Sequence, residues 1–497
     1  MQKKLLAAAV LSAFAGAASA QSSSVTIYGT LIGDFQFANS TGADSAVGAG
    51  APGTNNSFRT AASINAAPAV YSTRTRANPA GSNIGFRGTE DLGNGLSAWF
   101  QLEMSTTMGA PSGVPDGANH GNAPTWRNTA VGLRSNTWGT VSVGMWDTPF
   151  NVVFGATNAN AKTAIATTAI NAGMMGSTFI GQGAWSAQNE FAACVGSTGN
   201  ANNSCLNAGM NFDRRQRALL QWWSPNWNGF TVRAAYAANQ FADTQSASGN
   251  PTAAAQLPNT KPTIWDLSAT YANGPLTVAY AYSRQKDLLA YAANVAANGI
   301  APTAAGAGGI TGGNGTGAWT MSAASAATAQ YMSGSTGTGH RLGGKYVFNL
   351  GGGQGIGIGA LWESTKWDMS YSQYGAGAAA AQQLLTNLKK TAYRLQANYT
   401  TGNHFVGFDY TRANELQGSI NSATAAAANA FAGGGTGSKA YTISYAYDFS
   451  KRTSFMAYYL TVKNDVNATY GGSVFAAMPA SAGADPTYYG VAVRHAF

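Results

Sequence analysis

Short segments whose side chains alternate in character with a period of two recur along the whole chain, and the connections between them alternate strictly between short and long. Period two is the strand signature, because successive strand side chains point to opposite faces. In the run 276–283, Leu276, Val278, Tyr280 and Tyr282 share one face, and Thr277, Ala279, Ala281 and Ser283 the other. Tyr441, Ile443, Tyr445, Tyr447 and Phe449 alternate in the same way with Thr442, Ser444, Ala446 and Asp448. So do Tyr393, Leu395, Ala397 and Tyr399 with Arg394, Gln396 and Asn398. Sixteen such segments can be placed between residues 25 and 497. Short connections include 90–95, 224–228, 272–274 and 448–451, whereas long ones cover about 38–81, 105–125, 147–212, 241–262, 287–337, 368–389, 414–437 and 464–486.

A soluble sandwich has no reason to gather its short turns at one end and its long loops at the other. A transmembrane barrel has one: bacterial outer-membrane barrels combine an even strand number, short periplasmic turns, long external loops and strands that alternate between lipid and lumen. Closure also removes sheet edges, whose unpaired backbone groups hydrocarbon cannot satisfy. Composition agrees. Only 9% of the chain is charged, against roughly 25% in a soluble domain, as expected if half of each strand faces lipid. The expected fold is therefore all-β, a sixteen-stranded antiparallel transmembrane barrel. The external loops are rich in Ala, Gly, Ser, Thr and Asn, and 376–388 and 422–431 have the Ala-rich composition of short helices.

Lys3 and Lys4, the apolar run 5–15 and Ala18-Ser19-Ala20 make residues 1–20 a secretory signal peptide, leaving 21–497 as one exported barrel. Losing both lysines lowers the formal charge of +9 by two. Cys194 and Cys205 lie in the third long loop with ten residues between them, and an exported chain is expected to join them in a disulfide. No metal site, cofactor or catalysis is expected. The four His, at 120, 340, 404 and 495, are scattered, and none has the neighbours of a nucleophile–base pair. The Gly355–Ala360 run fits a dinucleotide fingerprint in form but opens a strand with no helix after it. Lys and Arg are dispersed, which argues against nucleic acid.

The chain ends inside a strand, with Tyr489, Val491, Val493, His495 and Phe497 on one face. Together with Ser24–Gly29, Gly85–Gly93, Val131–Leu133, Gly139–Val141, Asp147-Thr148-Pro149, Ser224-Pro225-Asn226 and Ser450–Thr453, this ending resembles the general porins of Gram-negative β-proteobacteria. The resemblance implies a homotrimer in the outer membrane, a third loop folded into the pore, and a terminal Phe497 that signals to the barrel assembly machinery. Where many relatives carry Gly-Arg-Gln, this chain has Gly144-Met145-Trp146.

Alternation assigns the lumen charges. Arg87, Arg215, Arg217, Arg233, Arg341, Lys345 and Arg394 are expected to face inward, against Glu103, Asp409 and Asp448, with Asp147 in the inward loop. Any one of them is otherwise a hydrated wall residue without a selective role. The excess of cations predicts a pore for small hydrophilic solutes and ions with a weak preference for anions. The alternatives are a substrate-specific channel on the same barrel, a barrel enzyme or adhesin, and a secreted soluble β-protein.

Overall fold

The alternating segments form one closed antiparallel barrel of sixteen strands. The computed structural model describes residues 24–44, 68–78, 81–106, 126–164, 173–176, 212–237, 263–286, 310–312, 319–321, 329–331, 336–368, 372–374, 384–421, 435–465, 468, 470–471 and 483–497. The strands are β1 (Ser24–Asp44), β2 (Pro68–Asn78 and, after a break, Asn83–Gly93), β3 (Leu96–Ser105), β4 (Thr129–Ser135), β5 (Gly139–Asp147) and β6 (Arg215–Trp223). They continue as β7 (Phe230–Ala237), β8 (Thr263–Asn273), β9 (Leu276–Lys286), β10 (Thr336–Gly351) and β11 (Gln354–Asp368). The last five are β12 (Leu384–Thr401), β13 (His404–Ala413), β14 (Ser438–Asp448), β15 (Thr453–Asn464) and β16 (Asp485–Ala496).

Closure comes from β1 pairing with β16, from Thr30 opposite Ala496 to Thr41 opposite Asp485. The last residue completes it. Phe497 and Gly29 exchange backbone hydrogen bonds of 3.1 and 3.2 Å. A Cβ at Gly29 would lie 2.5 Å from the Phe497 ring, so glycine lets that ring cross β1. The tight turn after β2 has positive φ at Gly93, Asn94 and Gly95, the geometry that suits the twist of a hairpin.

Alternation decides which residues meet lipid. On β11, Ile356, Ile358 and Trp362 are exposed on the outer face, while Leu361, Glu363 and Trp367 are buried inside. Two local features depart from sequence expectation. Residues 384–388 extend β12 instead of forming a helix; 422–431, Cys194, Cys205 and residues 1–20 lie outside the described residues. At the loop end of the interior, Leu460, Val462, Tyr488, Tyr470 and Met174 form a buried apolar cluster where a polar lumen wall was expected. The main-chain oxygen of Met174 accepts from Lys390 Nζ at 2.7 Å, so the inward loop supplies part of this cover.

Candidate functional site

The chain leaves β5 and enters the helix α1 (Pro149–Ala156), with Pro149 in its first turn, where the fixed φ of proline suits a helix start. Its buried residues, Pro149, Phe150, Val153 and Phe154, pack on the inner faces of β8, β9 and β10. Beyond α1 the backbone is held by wall side chains. Gln396 Oε1 accepts from the Ala159 amide at 3.1 Å, Asn398 Nδ2 donates to Ala159 O at 2.9 Å, and Asn160 Nδ2 donates to Asp409 at 2.9 Å. Ser444 and Lys162 extend the attachment, to Thr163 at 2.8 Å and Asp448 at 2.6 Å respectively. Small wall residues allow this approach. A Cβ at Gly339 would lie 2.8 Å from Phe212 and 3.0 Å from Phe150.

Two arginines fasten the loop. Arg341 is fully buried and donates to both oxygens of Asp213, at 2.5 and 2.9 Å, to Glu363 at 2.8 Å and to Phe150 O at 3.0 Å. Its guanidinium lies 4.3 Å from the Phe150 ring centroid. Arg394 bonds Asp409 at 2.9 Å and lies 5.2 Å from the centroid of Phe154. Such charges are stable in the interior only because each is paired and hydrogen-bonded. Asp213, between the loop and β6, is pushed up to about 6 by burial, against the pull of Arg341.

The facing wall, β2 to β7, is different. Trp99, Trp146 and Trp223 point into the lumen from β3, β5 and β6, with ring centroids 5.3 to 5.8 Å apart. Arg233 lies 5.1 Å from the Trp223 centroid and Arg134 5.8 Å from that of Trp99. Arg87, exposed, lies 5.0 Å from the Tyr28 centroid. Nearby Glu103 accepts from Arg127 at 2.5 Å and from Tyr28 at 3.0 Å.

A closed barrel with an inward loop can pass solutes, and comparison with known proteins says what kind of barrel it is. The model of the Gram-negative porin family matches residues 7–467. The chain belongs to that family. An outer membrane porin protein of Bordetella pertussis is 37% identical over 153 residues, which span 29% of this chain and 33% of that relative. The solved anion-selective porin from Comamonas acidovorans shares the fold at a TM-score of 0.54 and 19% identity, covering 96% of this chain and 100% of that one. This porin is thus an outer-membrane pore, and its family points to a channel rather than an enzyme.

Within the porin, the lumen cations divide into distinct environments. Arg87, Arg233 and Lys345 lie on the inner wall, Lys345 reaching Asn158 O at 3.4 Å. Arg341, Arg394 and Arg215 are instead buried in ion pairs, so they are not free wall charges. Arg215 meets Asp147 at 3.1 Å and Asn128 at 2.8 Å. Arg217 drops out of the inward row, because a bulge at Ala218, with φ of 48°, sets Leu219 opposite Gly144 and Gln216 opposite Trp146. Asp147 also accepts from Asn128 at 2.9 Å, and Asp448 is held by Lys162. Sequence reasoning missed Glu363, Asp213, Arg134 and the three tryptophans. Parity marks Glu363, since it follows the outward Trp362; Asp213 precedes its strand and has no such mark.

Proposed function

We propose that this porin is a general diffusion pore for small hydrophilic solutes and ions with a weak preference for anions. The observation that carries this reading is an asymmetry of pairing. Glu103, Asp147, Asp213, Glu363, Asp409 and Asp448 each have a cation at salt-bridge distance. Among the described residues, Arg87, Arg134, Arg233 and Lys345 have no such carboxylate. Set against them are the buried inward carboxylates Asp34 and Asp266, which accept from the Tyr458 hydroxyl and the Phe150 amide. Four cations against these two leave the lumen field net positive, and that favours anion entry. The anion-selective Comamonas porin is consistent with it.

The reading includes export behind residues 1–20, a Cys194–Cys205 bridge, insertion by the barrel assembly machinery with Phe497 as its signal, and a homotrimer. The trimer contact would be the aliphatic outer face of β1, β4, β5 and β16, where Val25, Ile27, Val131, Val143, Val491 and Val493 are exposed. A second reading, a channel selective for aromatic anions, is favoured by the Trp99–Trp146–Trp223 group between Arg134 and Arg233. Trp99 Nε1 is buried there with no hydrogen-bond partner among the described residues.

Planar-bilayer recording on the purified porin tests both. Across a KCl gradient the reversal potential should be that of a weakly anion-selective pore, and Arg87→Ala with Arg233→Ala should move it toward zero. The preference should fade in concentrated salt, because screening shortens from about 10 Å at 0.1 M to about 3 Å at 1 M. A cation-selective potential overturns the reading. Adding benzoate separates the two readings: linear flux supports general diffusion, whereas saturable block removed by Trp223→Ala supports the selective channel.

A further inference from the structure

The wall from β3 to β7 brings aromatic, cationic and buried polar groups to one level of the lumen. Trp99 and Ser142 lie near the turn ends of β3 and β5, away from the third loop, which leaves β5 at Asp147. Trp99, Trp146 and Trp223 are inclined to one another by 33 to 86°, with centroids 5.3 to 5.8 Å apart. Rings this close admit no further ring between them, so a solute meets only their outer faces. Trp146 and Trp223 are half-buried and offer such faces, whereas Trp99 is the most enclosed of the three.

Three polar groups beside the indoles have no partner. Ser142 is directly opposite Gln221 on one side and Gly132 on the other, and Gly132 is opposite Trp99. Among the described residues, Trp99 Nε1, Ser142 Oγ and Gln221 Nε2 make no hydrogen bond, although Trp99 is 7% exposed and the other two 2%. Gln221 Oε1 accepts from Trp223 Nε1 at 3.4 Å, which holds that amide against the indoles. Buried donors left without acceptors cost free energy, and a solute that supplies the acceptors recovers it. Arg134 and Arg233 bound the group, their guanidiniums 5.8 Å from the Trp99 centroid and 5.1 Å from that of Trp223.

Each feature selects part of a ligand. The negative face of an indole attracts the slightly positive C–H bonds of a saturated ring as well as the edge of an aromatic one. The guanidiniums select a carboxylate. Trp99, Ser142 and Gln221 select oxygen atoms around the same ring, and a simple aryl carboxylate has none there. A ring with a C–H face, hydroxyls at its rim and one carboxylate meets all three demands. We propose that this wall is a binding subsite for sugar acids of the uronate class. The sugar stacks a C–H face on Trp223 and sets its carboxylate at Arg233. The half-buried Trp146 ring turns aside, and the sugar hydroxyls become the partners of Trp99, Ser142 and Gln221. The subsite rests on the diffusion reading, because solute reaches it only through an open lumen.

The test is a ligand-observed NMR titration of the full porin in neutral detergent, with glucuronate, methyl glucoside, cyclohexanecarboxylate and benzoate as probes. Glucuronate should saturate and bind about tenfold tighter than methyl glucoside, which lacks the charge, and than cyclohexanecarboxylate, which lacks the hydroxyls. Gln221→Leu should weaken glucuronate and leave cyclohexanecarboxylate unchanged, a split that a merely structural role does not produce. Arg233→Gln should bring glucuronate down to the level of methyl glucoside, and it carries the test if Gln221→Leu does not fold. Glucuronate no tighter than both controls, or a Gln221→Leu effect equal on both acids, would overturn the proposal. Benzoate as the tightest probe would overturn it too and assign the indoles to aromatic anions. Planar-bilayer conductance without any probe keeps the two readings apart: a porin that conducts but does not retain glucuronate loses the subsite alone, whereas one that does not conduct loses the diffusion reading.

Discussion

Arg341 and Arg134 both point into the barrel, yet they sit on opposite walls with different surroundings. Arg341, beneath the inward loop, has no exposed side-chain surface and holds Asp213 and Glu363. Arg134 is exposed on the open wall, with the Trp99 ring 5.8 Å away. Counted as charges, the two are equal. Their neighbours make one a fastener and the other a part of the field that ions meet. The lumen field is therefore set by the cations left without carboxylates, not by the number of arginines that alternation turns inward.

The largest expected difference between the walls is in stability. Arg341→Ala removes the cation that bridges the buried Asp213 and Glu363, and losing one partner of a buried pair costs about 3–5 kcal/mol. Arg134→Ala removes an exposed group and should stay within about 0.5 kcal/mol of wild type. Denaturant unfolding of the folded porin measures both, and limited proteolysis should cut the third loop faster in Arg341→Ala alone. Equal stability losses would remove the distinction between the walls.

A smaller effect tests whether the wall under the loop is sculpted for it. In Gly339→Ala the new methyl meets Phe212 and Phe150 at 2.8 and 3.0 Å, and overpacking of this kind costs about 1–3 kcal/mol. At Gly33, on the outer face of β1, a Cβ would meet nothing within 4 Å. Gly33→Ala should be neutral or stabilising by about 0.4–1 kcal/mol through a less flexible unfolded chain. The same unfolding measurement ranks them, and a harmless Gly339→Ala would mean that the loop is not closely seated.

How far the sequence reveals this contrast depends on the physics of each residue. The barrel is legible because alternation and loop length are local, repeated signals. The inward position of Arg87, Lys345 and Arg394 follows from the same parity. Pairing is not local. That Arg341 finds Asp213 depends on the loop end returning beneath β10, across 128 positions of sequence. Arg217 misleads because an alanine at φ of 48° leaves no mark in composition, and the bulge it makes upsets the alternation locally. Trp146 stood out as a departure from the pattern of relatives, but its partners Trp99 and Trp223 come from β3 and β6, which strand pairing sets on either side of β5 across long stretches of sequence.

The smallest effect expected is on pH dependence, and it probes the fastening wall without cutting it. Burial raises the Asp213 carboxyl to about 6 in the folded porin, against about 3.9 in an unfolded chain. A raised carboxyl favours the folded state fully below the unfolded value and loses that contribution as pH rises through the folded one. Lowering the pH from 7 to 5 therefore adds a proton to Asp213 at no loss of stability from this group. It also removes one negative charge beside Arg341, which keeps Glu363 as its partner. Asp213 by itself adds one positive charge to the lumen over that range, so the reversal potential in a KCl gradient should move further toward anion selectivity at pH 5. Asp213→Asn places a neutral group of nearly the same shape beside Arg341 at every pH. That variant should show the low-pH preference already at pH 7 and respond less to acid. A pH response identical in wild type and Asp213→Asn would show that Asp213, and the fastening it makes with Arg341, does not contribute to the selectivity.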